Sequence, residues 1–370
     1  MKKGKMLQRL AAVMLAGTMM MAMGTTVFAE DAPNGNVTGN VSFTKTLDMS
    51  QAEGASVPDV TFSYIIGAGE AVPASDTTPE ILSGAEAAGL PTVESAAYTH
   101  EDAAAAEVEK TVNVDFSNVT FSKPGIYRYV ITEQTTNNAD ITNDGNPTRY
   151  LDVYVVNGGT EGTYAIDNFV LLPSAITPDN NGVYGDGSTS KSSGYTNMYT
   201  TYQLSLDKVV SGTMGNHGET FTFAVKFFGP TNASFKYGET TVTLDENIQN
   251  GIGEKEVTGI SIKEADDPVV IQGIPSTVQY EVKEIIASTK GYTTSYKVND
   301  VDKTAASTAK DVTMERVTMG KVNNAVVCTN VKNAVTPTGI VMNIAPYVLM
   351  VAVAAVLAVV FLRKRNDFEN

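Results

Sequence analysis

Residues 195–211 read YTNMYTTYQLSLDKVVS, and their side chains alternate with the period of two that is typical of a half-buried β-strand. One face of the first half is aromatic except for Asn197, and one face of the second half is apolar except for Lys208. Burying an isolated asparagine or lysine is costly unless it finds a partner. We therefore interpret this stretch as the last strand of one domain followed directly by the first strand of the next.

The rest of the chain supplies candidate partners for these polar groups twice. Each half contains, in the same order, a Lys, a Glu and an Asn that fall on otherwise apolar strand faces. The two sets are Lys45, Glu133 and Asn197 in the first half and Lys208, Glu284 and Asn330 in the second. Both glutamates end a Tyr-x-(Ile/Val)-x-Glu run, and both asparagines follow a threonine. Each residue is ordinary by itself, but a repeated and ordered set favours a shared role.

Short alternating runs separated by turn residues continue on both sides of this stretch, as in DVTFSYI and YLDVYVV. They predict an all-β chain of two tandem β-sandwich domains, residues 30–200 and 201–334. The 370 residues are enough for both domains and for processing segments. Residues 66–109 break the rhythm and are rich in Ala, Glu and Pro. We interpret them as a surface excursion outside the core, with a short helix at 101–108.

Both ends of the chain carry features of processing signals. Residues 1–29 have a positive start, an apolar run and an alanine at a plausible cleavage site, which predicts a secretory signal peptide, with a membrane anchor as the alternative. Residues 335–370 combine a pentapeptide, an apolar run at 340–362 that is long enough to span a bilayer, and a basic end. An ordinary C-terminal membrane anchor is the simpler interpretation of this tail. The pentapeptide consists of Val335, Thr336, Pro337, Thr338 and Gly339.

Charge and rare residues argue against several classes of function. A formal net charge of −15 argues against nucleic-acid binding, which needs basic patches. His100 and His217 are far apart in different predicted domains, so neither a metal cluster nor a Ser/His triad is supported, and no metal or cofactor is expected. The single cysteine, Cys328, cannot form an internal disulfide. We interpret it as a small buried hydrophobe, with a reactive thiol as the alternative.

The tail resembles a Gram-positive cell-wall sorting signal, whose usual motif is LPxTG. Its contiguous Pro, Thr and Gly resemble the (E/Q)VPTG-like variants that pilus-associated sortases read. The body of the chain, from about 40 to 339, is similar to the isopeptide-containing backbone (major) pilins of Gram-positive bacteria, of the streptococcal T-antigen type. The resemblance is carried by the two Lys/Glu/Asn sets and by the stretches SKPGIYRYVITE, YTNMYTTYQLSLDKVVSG and ETFTF.

This resemblance implies Ig-like or Cna B-type domains in which each Lys forms an isopeptide bond with the Asn of its own set, assisted by the Glu. It also implies that a pilus sortase cuts between Thr338 and Gly339 and joins the chain to a lysine of another subunit. Lys191 matches the family's linkage lysine, which lies shortly before the Asn of the first domain. Competing candidates are the other lysines expected to be exposed, such as Lys110, Lys123 and Lys236.

The implied location is a cell-surface pilus attached to the cell wall, reached by secretion of a membrane-anchored precursor. The implied partners are the pilus sortase, other copies of the chain, minor pilins, and peptidoglycan through the sortase. The alternative function is a wall-anchored adhesin or minor pilin that binds a host ligand through residues 66–109.

An isopeptide bond requires a neutral amine as the nucleophile. Burial among Val41, Phe43 and Leu47 disfavours the ammonium form and is expected to lower the pKa of Lys45. Burial also favours the protonated form of a carboxyl, which can polarise the asparagine carbonyl and pass protons to the departing ammonia. Folding holds the reactants together at high effective concentration. Each Lys/Glu/Asn set would react once, so the protein is not expected to be an enzyme in the sense of turnover.

Overall fold

The computed structural model of the chain describes residues 40–185, 190–285, 290–305, 313–334 and 347–359. The fold of these residues is all-β, as the alternating pattern predicts. Helical segments among them include a 3₁₀ turn at Gly84–Glu86 and a helix at residues 347–359.

The described residues form two compact units. The first comprises residues 40–51 together with the described part of Val57–Thr200, and the second comprises Ala52–Ser56 together with the described residues from Thr201 onwards. The main division therefore falls inside the alternating stretch 195–211. Ala52–Ser56 is held in the second unit by Ser56, whose backbone N donates to Ser234 O at 2.9 Å.

The first unit contains two sheets and a small separate ladder. Its strands are β1 (Val41–Gln51), β2 (Val60–Phe62), β3 (Tyr64–Ala68), β4 (Ile81–Ser83), β5 (Thr92–Val93), β6 (Ala96–Tyr98), β7 (Glu107–Asp115), β8 (Gly125–Glu133), β9 (Ile141–Thr142), β10 (Thr148–Asn157), β11 (Tyr164–Leu172) and β12 (Gly194–Thr200). One sheet has the order β5-β7-β1-β12-β9, and the other has the order β11-β10-β8-β3, with β4 also pairing with β8. The ladder consists of β2 and β6.

The second unit also contains two sheets. Its strands are β13 (Tyr202–Ser211), β14 (Phe221–Pro230), β15 (Ser234–Tyr237), β16 (Thr240–Thr243), β17 (Glu246–Gln249), β18 (Ile252–Ile262), β19 (Val269–Ile274), β20 (Gln279–Ile285), β21 (Thr293–Val298), β22 (Val301–Asp302), β23 (Val317–Thr318) and β24 (Asn324–Val331). The sheets have the orders β16-β15-β19-β13-β24-β21-β22 and β17-β18-β14-β20-β23.

In each unit the first and last strands lie side by side and run parallel. Strand β1 pairs with β12, and Leu47 is the register partner of Asn197. Strand β13 pairs with β24, and Val210 is the register partner of Asn330. Chain entry and chain exit of each unit therefore share one ladder of hydrogen bonds.

Alternation along the strands places every second side chain in a core. In β1 the buried positions run from Val41 through every other residue to Met49, so Lys45 occupies a core position. In β8 the side chains of Tyr127 and Tyr129 lie on the same face of the strand, point into the core and are fully buried. The largest buried cluster of the second unit gathers aromatic and branched side chains from both of its sheets.

The structure contradicts the interpretation of residues 66–109 as an excursion outside the core. Ile81 and Leu82 of β4 are buried where β4 pairs with β8, and Tyr98 of β6 is buried with its hydroxyl donating to Lys45 O at 2.6 Å. This segment lacks a long periodic run because it enters the core through several very short strands.

The predicted helix at residues 101–108 is wrong. The side chain of Asp102 closes a turn by accepting from Thr99 N, and β7 begins at Glu107. The alanines of this segment favour a helix by intrinsic propensity, but that preference is weak. Pairing of β7 with Val41–Asp48 of β1, which joins Val108 to Leu47, overrides it.

Several predicted features lie outside the described residues. They are the signal peptide at 1–29, the pentapeptide at 335–339 and both ends of the apolar run at 340–362, whose described residues 347–359 are helical. Among the described residues, no helix combines the length and the apolarity needed to cross a membrane.

Candidate functional site

The core of the first unit brings together the side chains of Lys45, Glu133 and Asn197. Lys45 Nζ lies 2.8 Å from Glu133 Oε1 and donates a hydrogen bond to Asn197 Oδ1 at 2.6 Å. Lys45 and Asn197 are fully buried, and Glu133 is 4% exposed. The parallel pairing of β1 and β12 puts Lys45 and Asn197 on one sheet, and Glu133 reaches them from β8 of the opposite sheet.

The surroundings of Lys45 favour loss of its proton. Burial lowers the pKa of the Lys45 amine, and the neighbouring Glu133 carboxyl only partly opposes that effect. The ring of Phe62 lies under the amine, with its centroid 4.2 Å from Nζ. Water is therefore excluded from a potential nucleophile that touches an amide oxygen.

The second unit assembles Lys208, Glu284 and Asn330 in its own core. Lys208 Nζ lies 3.4 Å from Glu284 Oε2, and Asn330 Nδ2 donates to Glu284 Oε1 at 2.8 Å. All three side chains are at most 1% exposed. The ring of Phe221 covers the amine at 4.3 Å, in the same manner as Phe62 in the first unit.

The two sites share a register but differ in their contacts. In each unit the register partner of the Asn lies two residues beyond the Lys, since Leu47 pairs with Asn197 and Val210 pairs with Asn330. In the first unit the amine touches the asparagine directly. In the second unit Glu284 bridges the amine and the amide.

Cys328 takes part in the second site rather than serving only as a small hydrophobe. It is fully buried, as predicted, and it is the register partner of Lys208. Its Sγ lies 3.4 Å from Lys208 Nζ and 3.4 Å from Glu284 Oε2. Burial raises the pKa of the Cys328 thiol, which keeps it protonated and unreactive.

Lys191 lies in the segment that leads into β12 and is half-buried. Burial lowers the pKa of its amine. The backbone that follows is tied to both sheets of the unit, since Ser192 N donates to Leu171 O and Thr44 N donates to Ser193 O, each at 2.8 Å. Its role as a linkage lysine stays a prediction.

The competing lysines occupy different settings. Lys110 forms an ion pair with Asp102 at 2.8 Å, and Lys236 donates to Thr241 Oγ1 at 2.9 Å. Lys123 is more open, with 48% of its side chain exposed and its closest ion-pair distance, to Glu80, at 3.7 Å.

Sequence reasoning missed the polar groups that contact the two asparagines. Asp144 N donates to Asn197 Oδ1 at 3.1 Å, and Thr294 Oγ1 donates to Asn330 Oδ1 at 2.8 Å. Asp144 belongs to TNDGNP, which is typical of a turn and carries no sign of a core contact. The alternation of Thr294 with buried Tyr296 could have placed Thr294 in the core.

We expect an unusual pH dependence in an Asn197→Ala variant, which keeps the free Lys45 amine. The folded-state pKa of this amine lies below its ordinary value of 10.5, which applies to the unfolded chain. At pH values between the folded-state pKa and 10.5, the unfolded chain binds more protons at Lys45 than the folded chain does. The free energy of unfolding therefore rises as the pH increases through this window. Denaturant unfolding at a series of alkaline pH values measures this slope.

The matched control for that slope is the double variant Lys45→Met, Asn197→Ala, which has no buried amine. The difference between the two chains isolates Lys45 from the other groups that titrate at high pH. Equal slopes in both chains would contradict a lowered pKa for Lys45.

Comparison with known proteins gives consistent matches over the whole body of the chain. Residues 41–200 match the family described as the Spy0128-like isopeptide containing domain, and residues 202–324 match a domain of unknown function, DUF7601. A pilin of Streptococcus pyogenes serotype M1 is 26% identical over 350 residues, which cover 92% of this chain and 94% of the pilin.

Solved structures share the fold. The major pilin of Streptococcus pyogenes is 22% identical, with a TM-score of 0.55 and coverage of 81% of this chain and 100% of that chain. The major pilin T3.2 from Streptococcus pyogenes serotype GAS13637 is 19% identical, with a TM-score of 0.51 and coverage of 79% of this chain and 98% of that chain.

Proposed function

We propose, on the premise that this chain is a homologue of the streptococcal major pilins, that it forms the shaft of its pilus and stabilises itself by two internal isopeptide bonds. The protein is a structural subunit of a cell-surface pilus. The finer proposal joins Lys45 to Asn197 in the first unit and Lys208 to Asn330 in the second.

One observation carries this proposal: each unit buries a Lys and an Asn on its parallel first and last strands, with a Glu from the opposite sheet beside them. A buried lysine beside an amide is costly to fold unless it has a compensating role. Two independent occurrences with the same register argue against chance.

The reaction in each unit exchanges one amide for another. The neutral lysine Nζ attacks the asparagine Cγ, the Nζ–Cγ bond forms, and the Cγ–Nδ2 bond breaks to release ammonia. The neighbouring Glu takes the proton lost by Nζ and returns one to Nδ2, so it ends unchanged. No external reactant is needed, and the reaction occurs once in each unit.

The mechanical consequence follows from the position of the bonds. Each bond ties the first strand of a unit to its last strand, so tension that enters at one end of the unit leaves at the other through a covalent path. The strands between them carry no load and have no reason to peel apart. A shaft under traction benefits from this arrangement.

Assembly of the shaft depends on the two ends and on one lysine. We infer that residues 1–29 direct secretion, that 340–362 hold the precursor in the membrane, and that a pilus sortase cuts between Thr338 and Gly339. The acyl group of Thr338 then passes to Lys191 of another copy, and the last transfer goes to peptidoglycan. Minor pilins join the same pathway.

Replacing Lys191 tests this assembly. In cell-wall extracts of the bacterium that encodes the chain, an antibody against this protein is expected to detect a ladder of high-mass bands. A Lys191→Ala variant is expected to collapse the ladder to monomer because no acceptor amine remains, whereas the exposed control Lys123→Ala keeps it. A ladder that survives Lys191→Ala contradicts the choice of lysine, and a monomer-sized band in the wild type favours the wall-anchored adhesin.

A further inference from the structure

The amide of Asn197 is held by the loop that follows β9. Asp144 N donates to Asn197 Oδ1 at 3.1 Å, and Asn197 Nδ2 donates to Asn143 Oδ1 at 3.4 Å. The Asp144 carboxylate accepts from Arg149 Nη2 at 2.9 Å and from Thr196 N at 3.0 Å, so the loop is fixed against β12 on which Asn197 stands. The backbone N–H of Asp144 is therefore directed at the amide oxygen before any reaction occurs.

The amide of Asn330 is held by a side chain instead. Thr294 is the register partner of Asn330 in the antiparallel pair β21 and β24, and its hydroxyl donates to Asn330 Oδ1 at 2.8 Å. Thr294 is 5% exposed, so water does not compete for this hydrogen bond. Its Oγ1 also lies 3.4 Å from Glu284 Oε2, next to the groups that would exchange protons.

The difference between the units has a topological cause. On the side away from β1, β12 pairs with the two-residue strand β9, and this pairing ends at Thr142 opposite Met198. Because the ladder ends there, the backbone of Asn143 and Asp144 can turn towards Asn197. On the side away from β13, β24 pairs with β21, and this pairing runs through Thr294. The donor to Asn330 is there the side-chain hydroxyl of Thr294.

We propose that Asp144 N–H and the Thr294 hydroxyl are the oxyanion donors of the two isopeptide reactions. When Nζ attacks Cγ, the carbonyl electron pair moves onto Oδ1, and it returns when Nδ2 leaves as ammonia. The negative charge on Oδ1 exists only in between, and each donor is already placed where that charge develops. Preorganised donors of this kind stabilise a transition state more than its ground state.

This inference rests on the proposed bonds and assigns the residues that accelerate them. The Glu of each site moves protons, and the oxyanion donor is a separate group from a separate element. Thr294 contacts a reacting atom, which makes it a catalytic residue of the single-turnover reaction.

The test follows both bonds in one molecule. Residues 30–338, which contain every described strand, are made by cell-free translation, quenched in acid at successive times and digested with protease. Mass spectrometry then counts the cross-linked peptides that contain Lys45 with Asn197 and Lys208 with Asn330. The bond of the first unit serves as the internal control for the second.

Thr294→Val keeps the shape of the side chain and removes the donor. It is expected to slow the Lys208–Asn330 bond by about 100- to 1,000-fold, with no change in the rate of the Lys45–Asn197 bond. Thr294→Ser restores the hydroxyl and is expected to recover most of the rate. A Thr294→Val chain that forms its second bond at the wild-type rate overturns the assignment.

A second variant keeps the inference testable if Thr294→Val prevents folding of its unit. Asp144→Pro removes the backbone N–H in the first unit together with the carboxylate, so its control is Asp144→Ala, which removes the carboxylate alone. Asp144→Pro is expected to slow the Lys45–Asn197 bond well beyond Asp144→Ala and to leave the second bond unchanged, and equal rates in the two variants overturn the assignment for that unit. Failure of the proposed function gives a different result, because the wild-type chain itself then yields neither cross-linked peptide.

Discussion

The purified chain of residues 30–338 is expected to weigh about 34 Da less than its sequence requires, the mass of two ammonias. The reason is that each buried lysine amine lies close to an asparagine amide in a site that excludes water. Lys45 Nζ contacts Asn197 Oδ1 directly, and Glu284 bridges Lys208 and Asn330. Intact-mass spectrometry resolves this deficit.

Single substitutions assign the deficit to its two sites. After allowance for the altered side chain, Lys45→Ala and Lys208→Ala are each expected to recover about 17 Da, one ammonia. The control Lys123→Ala replaces an exposed lysine and is expected to keep the whole deficit. A wild-type chain with its full formula weight would end the isopeptide proposal, although the pilin fold would stand.

Loss of the first bond is expected to produce the largest change in stability. The bond closes a loop across the 152 residues that separate Lys45 and Asn197. On the chain-entropy description used for disulfides, closing a loop of this length stabilises the folded state by about 5 kcal/mol. Asn197→Ala removes the bond and leaves Lys45 beside Glu133, and it also removes the hydrogen bonds of Asn197 with Asp144 N and Asn143 Oδ1, so the measured loss includes these contacts together with the covalent link.

Calorimetry measures this change. For a unit of this size, a loss of that order lowers the melting temperature by roughly 10–20 °C. The melting temperature of the second unit is expected not to change, which would show that the effect is confined to the first unit. The matched control is Asn113→Ala, which removes a half-buried asparagine that donates to Glu94 Oε2 and closes no loop. A melting temperature for Asn197→Ala equal to that of this control would contradict the bond.

Some of this architecture could be predicted from the order of residues alone. Period-two alternation around Lys45 and Lys208 identifies strands and their inner faces, because side chains of a strand point to opposite sides in turn. The structure buries both lysines on those faces. The repeated order Lys, Glu, Asn could be seen without coordinates, since a repeat is a property of the sequence.

Other features could not be predicted in this way. The segment 66–109 enters the core through strands as short as β4, which are too brief to show a period. The alanines before β7 suggested a helix, and pairing with β1 decided otherwise. The contact of Cys328 with Lys208 depends on the parallel register of β13 and β24, which local pattern does not encode.

In the long strands that carry Lys45 and Lys208, alternation along one stretch of chain is enough to show which side chains face inwards. Tertiary structure alone decided which atoms meet there. Asp144 N–H reaches Asn197 because β9 is short, and Thr294 reaches Asn330 because β21 pairs with β24 in one register. Both contacts join residues distant in the chain, and their geometry is set by strand pairing and packing of the whole unit.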